Sequence, residues 1–184
     1  VMFTSGSSLT LSATDLSAFS ECTHKTTLEL QVAFGQLERP GVNELERRLL
    51  EKRGFDHEAR VLAHFRESGR SVVTIGLAPG KGDAGRFEAA AATEAAMASG
   101  ADVIYQGVLF DGEWLGRPDF LLKCAGKSRF GDHHYAVLDA KLAREAKVRA
   151  VLQLCVYTDH LARVQGALPE YCFIAPGGDE VRLT

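Results

Sequence analysis

Three side chains define the chemistry open to this sequence. Asp119 stands in Gly116-Arg117-Pro118-Asp119, and Asp139 and Lys141 stand in Val137-Leu138-Asp139-Ala140-Lys141. Each group ends or interrupts a run that reads as a strand. Two carboxylates that meet near one point make a hard-oxygen site for Mg²⁺ or Mn²⁺. Asp139 and Lys141 are two residues apart and share a strand face, because side chains alternate. An ammonium on that face stabilises developing negative charge or orients a water. Metal, carboxylates and lysine together are what phosphodiester hydrolysis needs. Taken singly, Pro118-Asp119 also reads as a turn, and Asp139-Ala140-Lys141 as a solvated strand end. Their joint occurrence on adjacent strands favours a site, and an acid within the largely apolar run 135–142 is costly to bury without a cation or partner.

The elements that must position these groups follow from pattern. A short capped helix is expected over 12–22, with Ser12 or Thr14 as N-cap. A long helix is expected over 42–68, with Leu45, Leu49 and Leu50 on one face, then Val61, Leu62 and Phe65, and Gly54 marking a bend or break. The β-branched run 71–77 reads as a strand. The alanine-rich run 85–99 reads as a helix closed by Gly100. Strands over 103–110 and 113–123 are joined by the hairpin signal Asp111-Gly112. Residues 124–133 are polar and read as a loop, 135–141 as a strand, and 145–165 as a helix with Val148, Val151, Leu152, Cys155 and Val156 on its apolar face. A strand over 170–175 follows, and Pro176-Gly177-Gly178 turns into a last short one. This order predicts an α/β domain with a central mixed sheet and helices on both faces. No repeat or linker divides it, so 1–184 reads as one domain.

Composition sets the bounds. The chain has 184 residues, 46% hydrophobic and 24% charged, enough for one domain with a sizeable core. The net charge of −3 gives no bulk support to nucleic-acid binding, so any basic surface must be local. Its candidates are Arg47, Arg48, Lys52 and Arg53, then Lys141, Arg144, Lys147 and Arg149. Cys22, Cys124, Cys155 and Cys172 show no C-x-x-C spacing, which argues against a zinc ribbon and a disulfide framework. Cys155 and Cys172 read as core positions. No signal peptide or bilayer-spanning run is evident, so a cytoplasmic protein is expected. The abrupt ends, Val1-Met2 and Thr184, read as those of a domain excised from a longer chain.

The two acid-bearing motifs resemble those of the PD-(D/E)xK nuclease superfamily. Two further pieces are similar to its RecB-like branch: Gln153-Leu154-Cys155-Val156-Tyr157 matches the Q-x-x-x-Y motif, and Gly54-Phe55-Asp56-His57-Glu58 resembles the upstream motif ending in His-Glu. The four occur in the family's order, and the resemblance covers about residues 12–175. It implies a restriction-endonuclease-like three-layer α/β/α fold with a central mixed sheet. It implies a metal-dependent deoxyribonuclease, exonuclease or endonuclease, acting on single-stranded DNA or DNA ends. Asp119, Asp139 and Lys141 would be catalytic. His57, Asp119, Asp139 and the Ala140 carbonyl would hold Mg²⁺ or Mn²⁺, the histidine nitrogen favouring Mn²⁺. Glu58 would reach a second metal through water, or pair with Arg60 or Lys52. Gln153 and Tyr157 share a helix face with Arg149 and would contact a phosphate or base edge, or orient the lysine strand; Tyr157 would otherwise cap the core. Some relatives hold an iron–sulfur cluster with one early and three late cysteines; this chain lacks that set, and no cluster is expected. Helicase-like and ribonuclease H-like parts would follow in a longer chain. The competing reading is a catalytically inactive nucleic-acid-binding or scaffold domain, against which the intact Asp119, Asp139 and Lys141 argue. A hydrolase of small phosphoesters is a further alternative.

Overall fold

Residues 103–105, 120–122 and 135–138 are continuously apolar, and these segments form the centre of the fold. The computed structural model describes residues 2–5, 8–41, 44–77, 82–143 and 147–177. Along these the elements are β1 (Phe3–Ser5), β2 (Ser8–Ser12), α1 (Ala13–Glu21), α2 (Thr23–Ala33), α3 (Glu44–Glu67), β3 (Val72–Thr74), α4 (Gly82–Ala98), β4 (Val103–Tyr105), β5 (Leu109–Phe110), β6 (Trp114–Gly116), β7 (Phe120–Ser128), β8 (Gly131–Lys141), α5 (Val148–Gln165) and β9 (Phe173–Pro176).

The main sheet has the order β3-β4-β7-β8-β9. Its outer pairs, β3 with β4 and β8 with β9, are parallel, and its inner pairs are antiparallel. The sheet is therefore mixed, and the chain belongs to the α/β class. Alternation sends Phe120, Leu122 and Leu138 to one face, where they pack with Val61, Leu62 and Phe65 of α3. Leu121, Tyr135 and Val137 go to the other face, against Met97 of α4 and Leu154 and Leu161 of α5. A second, smaller sheet has the order β1-β2-β6-β5.

One hairpin supplies strands to both sheets. Each of its two apolar runs, expected as an unbroken strand over 103–110 or 113–123, is interrupted at the same level. The first breaks between β4 and β5, where Gln106 has φ +57°. The second breaks between β6 and β7, at Arg117-Pro118-Asp119, where Pro118 has no N–H to donate. The Gln106 N–H bonds the Asp119 carbonyl across the break at 2.8 Å. The pattern hid this change of sheet because burial continues through it: Val108, Leu109 and Phe110 are all buried.

Other boundaries also differ from expectation. Ser12 is the N-cap of α1, in a capping box with Asp15. Helix α3 runs unbroken through Gly54, and β3 is shorter than the run 71–77. Residues 124–133 are not a loop; β7 and β8 extend through them as a hairpin, with a register shift between Ala125 and Ser128. Their polarity reflects solvent on a projecting hairpin. Strands β1 and β2 and helix α2 had no expected counterpart. Cys155 and Cys172 are exposed, not core. The expected starts of helices at 42 and 145, Arg144, and the last strand after Gly178 lie outside the described residues.

Helix α5 is fixed to the sheet by Gln165, which is fully buried. Strand β9 pairs with β8 only over Leu138–Lys141. At Tyr135 the outer edge of β8 meets the Gln165 amide instead: its Oε1 accepts from Tyr135 N–H at 2.7 Å and its Nε2 donates to Tyr135 O at 3.0 Å. A side chain thus stands in for a strand, satisfying groups that burial would otherwise leave unpaired. Gly166, with φ +67°, then ends the helix.

Candidate active site

Asp139 and Lys141 lie near the end of β8, and Asp119 directly precedes β7. The alternation argument holds: Lys141 Nζ is 2.6 Å from Asp139 Oδ2. Asp139 is 1% exposed, and its Oδ2 has no aligned hydrogen-bond donor despite that ion pair. Asp119 Oδ2 accepts from the Ala140 N–H at 2.7 Å, which ties the first acid to the residue between the other two groups. Burial pushes the Asp119 carboxyl well above the usual carboxylate range, and the neighbouring Asp139 and Glu58 charges push it further. Like-charged acids crowded in a dry site retain a proton or take a cation.

Lysine and helix are joined in series. Lys141 Nζ donates to Gln153 Oε1 at 3.3 Å, and Gln153 Nε2 donates to the Tyr157 hydroxyl at 3.1 Å. The i, i+4 spacing of Gln153 and Tyr157 makes the second contact possible. Tyr157 is buried, and burial raises its hydroxyl pKa, so it stays protonated as a neutral partner. Its ring lies over Gly116: a Cβ there would sit 3.1 Å from Tyr157 Cδ1. The glycine beside Arg117-Pro118-Asp119 is thus the seat of the helix tyrosine. Arg149 is not in this chain of contacts. It is exposed and lines, with Lys141, Lys147 and Gln153, a cavity of about 250 Å³ beside the lysine.

Helix α3 buries two neighbouring residues, His57 and Glu58. His57 is buried, but its Nε2 bonds the Ala175 carbonyl of β9 at 2.9 Å, and its Nδ1 lies 3.5 Å from Arg60 Nη2. Among the described residues no three His, Cys, Asp or Glu side chains form a ready ligating group. Glu58, also buried, faces the acids: its charge acts on Asp119, and its carboxylate accepts from Gln106 Nε2 and from the Tyr105 hydroxyl. Lys52, one of the partners expected for Glu58, pairs with Asp56. The sequence signal for Glu58 was its place next to His57, one residue around the helix.

Carboxylate oxygens of this kind suit a hard divalent cation. Asp139 and Glu58 are buried, and the Lys141 ammonium, 2.6 Å from Asp139 Oδ2, balances part of their charge. No helix among the described residues is long and apolar enough to cross a membrane. Comparison with family models, with curated proteins and with solved structures returns no match.

Proposed function

We propose that this chain is a metal-dependent nuclease of the PD-(D/E)xK kind, RecB-like, that hydrolyses DNA phosphodiester bonds in single strands or at ends. The observation that carries the reading is the buried Asp119–Asp139 pair with Lys141 Nζ 2.6 Å from Asp139. A mixed sheet covered by α3 on one face and α4 and α5 on the other agrees with a restriction-endonuclease-like architecture. Asp119, Asp139 and Glu58, with the Ala140 carbonyl, would hold Mg²⁺ or Mn²⁺. His57 would join them through Nδ1, with its Nε2–H kept on the Ala175 carbonyl, the usual arrangement of a ligating histidine.

A bound divalent ion lowers the pKa of water and polarises a phosphoryl oxygen. Lys141 places a positive charge where negative charge develops on phosphorus, and Asp139 holds that ammonium in place. Gln153 and Tyr157 fix the lysine from the helix side. Arg149 and Lys147, at the rim of the neighbouring cavity, supply phosphate contacts that hold the strand without reading its sequence. Such contacts give the site a local basic rim despite the net charge of −3.

The test is incubation of the protein with end-labelled single- and double-stranded DNA and RNA, in Mn²⁺, Mg²⁺ or chelator. Metal-dependent products that disappear in Asp139→Ala and Lys141→Ala are expected, and product lengths give polarity. Nucleic-acid binding without cleavage in either metal would establish the scaffold reading instead. Cleavage of small phosphoesters in preference to polymer would replace DNA as substrate.

A further inference from the structure

The loop that breaks the first hairpin strand holds an unfavourable backbone. Among the described residues Gln106 is the only non-glycine residue with positive φ, at +57°. Glycine and asparagine suit that region, and a longer side chain is disfavoured there. An outlier of this kind directs attention to what its side chain does.

The Gln106 side chain bridges Arg117 and Glu58. Its Oε1 accepts from Arg117 Nη2 at 2.9 Å, and its Nε2 donates to Glu58 Oε1. The chemistry fixes the orientation of the amide: a guanidinium only donates, and a carboxylate only accepts. Its main-chain N–H bonds the Asp119 carbonyl at 2.8 Å. One residue is therefore bonded to α3, to the Arg117 side chain and to the backbone of the first acid. Glutamate here would set one carboxylate against another, and asparagine is one methylene shorter.

We infer that Gln106 is a positioning residue that ties the Glu58 carboxylate to the backbone carrying Asp119, so that Glu58 is held where it can join Asp119 and Asp139 around a metal ion. The inference rests on the proposed metal-dependent reading of that site. Gln106 touches neither metal nor substrate; it acts through Glu58.

The experiment is Mn²⁺ titration by calorimetry of the whole chain as wild type, Gln106→Gly, Glu58→Gln and the double variant, with Asp139→Ala as control. Glycine removes the side chain and also relieves the backbone, so the melting temperature in chelator separates positioning from unfolding. Gln106→Gly should melt within a few degrees of wild type and bind Mn²⁺ about tenfold more weakly, a change of about 1.4 kcal/mol. In the Glu58→Gln background the same substitution should have no further effect on Mn²⁺ affinity. Unchanged affinity in Gln106→Gly, or an equal loss with and without Glu58, would overturn the positioning role while leaving the active site intact. No Mn²⁺ binding by wild type, or binding that Asp139→Ala leaves unaltered, would overturn the metal-dependent reading and this inference with it.

Discussion

Asp119→Asn keeps the shape of the side chain and removes its charge. In metal-free protein the Asp119 carboxyl is buried beside Asp139 and within reach of the Glu58 charge, which raises its pKa. A carboxyl raised in the folded state holds more protons there than in the unfolded chain. Wild-type stability in chelator should therefore fall as pH rises from the ordinary carboxylate range through the raised folded value. Asparagine has no proton to lose and removes that part of the slope. Its oxygen can still accept from the Ala140 N–H, now 2.7 Å from Asp119 Oδ2. Its amide can donate to Asp139 in place of repulsion. A hydrogen bond to a charged group contributes about 1.5–3 kcal/mol. For a domain of this size that is roughly 3–12 °C in melting temperature, at about 2–4 °C per kcal/mol. Addition of Mn²⁺ should reverse the order: at one hundred times its dissociation constant the ion stabilises a binding protein by about 2.7 kcal/mol. Calorimetric scans at pH 8, in chelator and in Mn²⁺, provide the assay. A variant less stable than wild type in chelator would refute the repulsion, and equal stabilisation of both proteins by Mn²⁺ would refute Asp119 as a ligand.

Lys141→Ala should lower the cleavage rate by roughly 100- to 1,000-fold, the usual effect of removing one electrostatic stabiliser, and keep Mn²⁺ binding. Wild-type-like cleavage would remove the lysine from the chemistry. His57→Ala should destabilise the metal-free protein by about 1–3 kcal/mol, because the buried Ala175 carbonyl loses its donor. Urea unfolding in chelator reads this directly, and no change would mean that the tie to β9 contributes nothing. Gly116→Ala should cost about 1–3 kcal/mol by overpacking, since the new Cβ falls 3.1 Å from Tyr157 Cδ1. An unchanged melting temperature would show that the tyrosine ring yields without loss.

Asp139 and Lys141 were legible because two-residue spacing leaves a strand only one relative orientation. The Gln153–Tyr157 contact was legible for the equivalent reason on a helix. Helix α3 was less so. Leu45, Leu49 and Leu50 suggest a buried face but are exposed, so the outer half of the helix gives no reliable phase for the inner half. Adjacent residues are separated by about 100° around the helix axis. That rotation sends His57 to the Ala175 carbonyl and Glu58 to Gln106, and packing against the sheet sets it. Gln106 and Gln165 were invisible for a related reason. Each is a polar residue whose partners come from distant segments, and neither spacing nor composition marks it.

Both strands of the central hairpin leave one sheet and join the other at the same level, so the acid-bearing end and the tip are held by different sheets. Main-chain bonding across Gln106 and Asp119 closes the seam before the chain reaches β5 and β6. The turn at Asp111-Gly112 nevertheless touches α5, where Asp111 Oδ2 lies 3.9 Å from His160 Nε2 and 3.7 Å from Arg163 Nη1. A change of charge at the tip is therefore felt first by the helix that carries Gln153 and Tyr157.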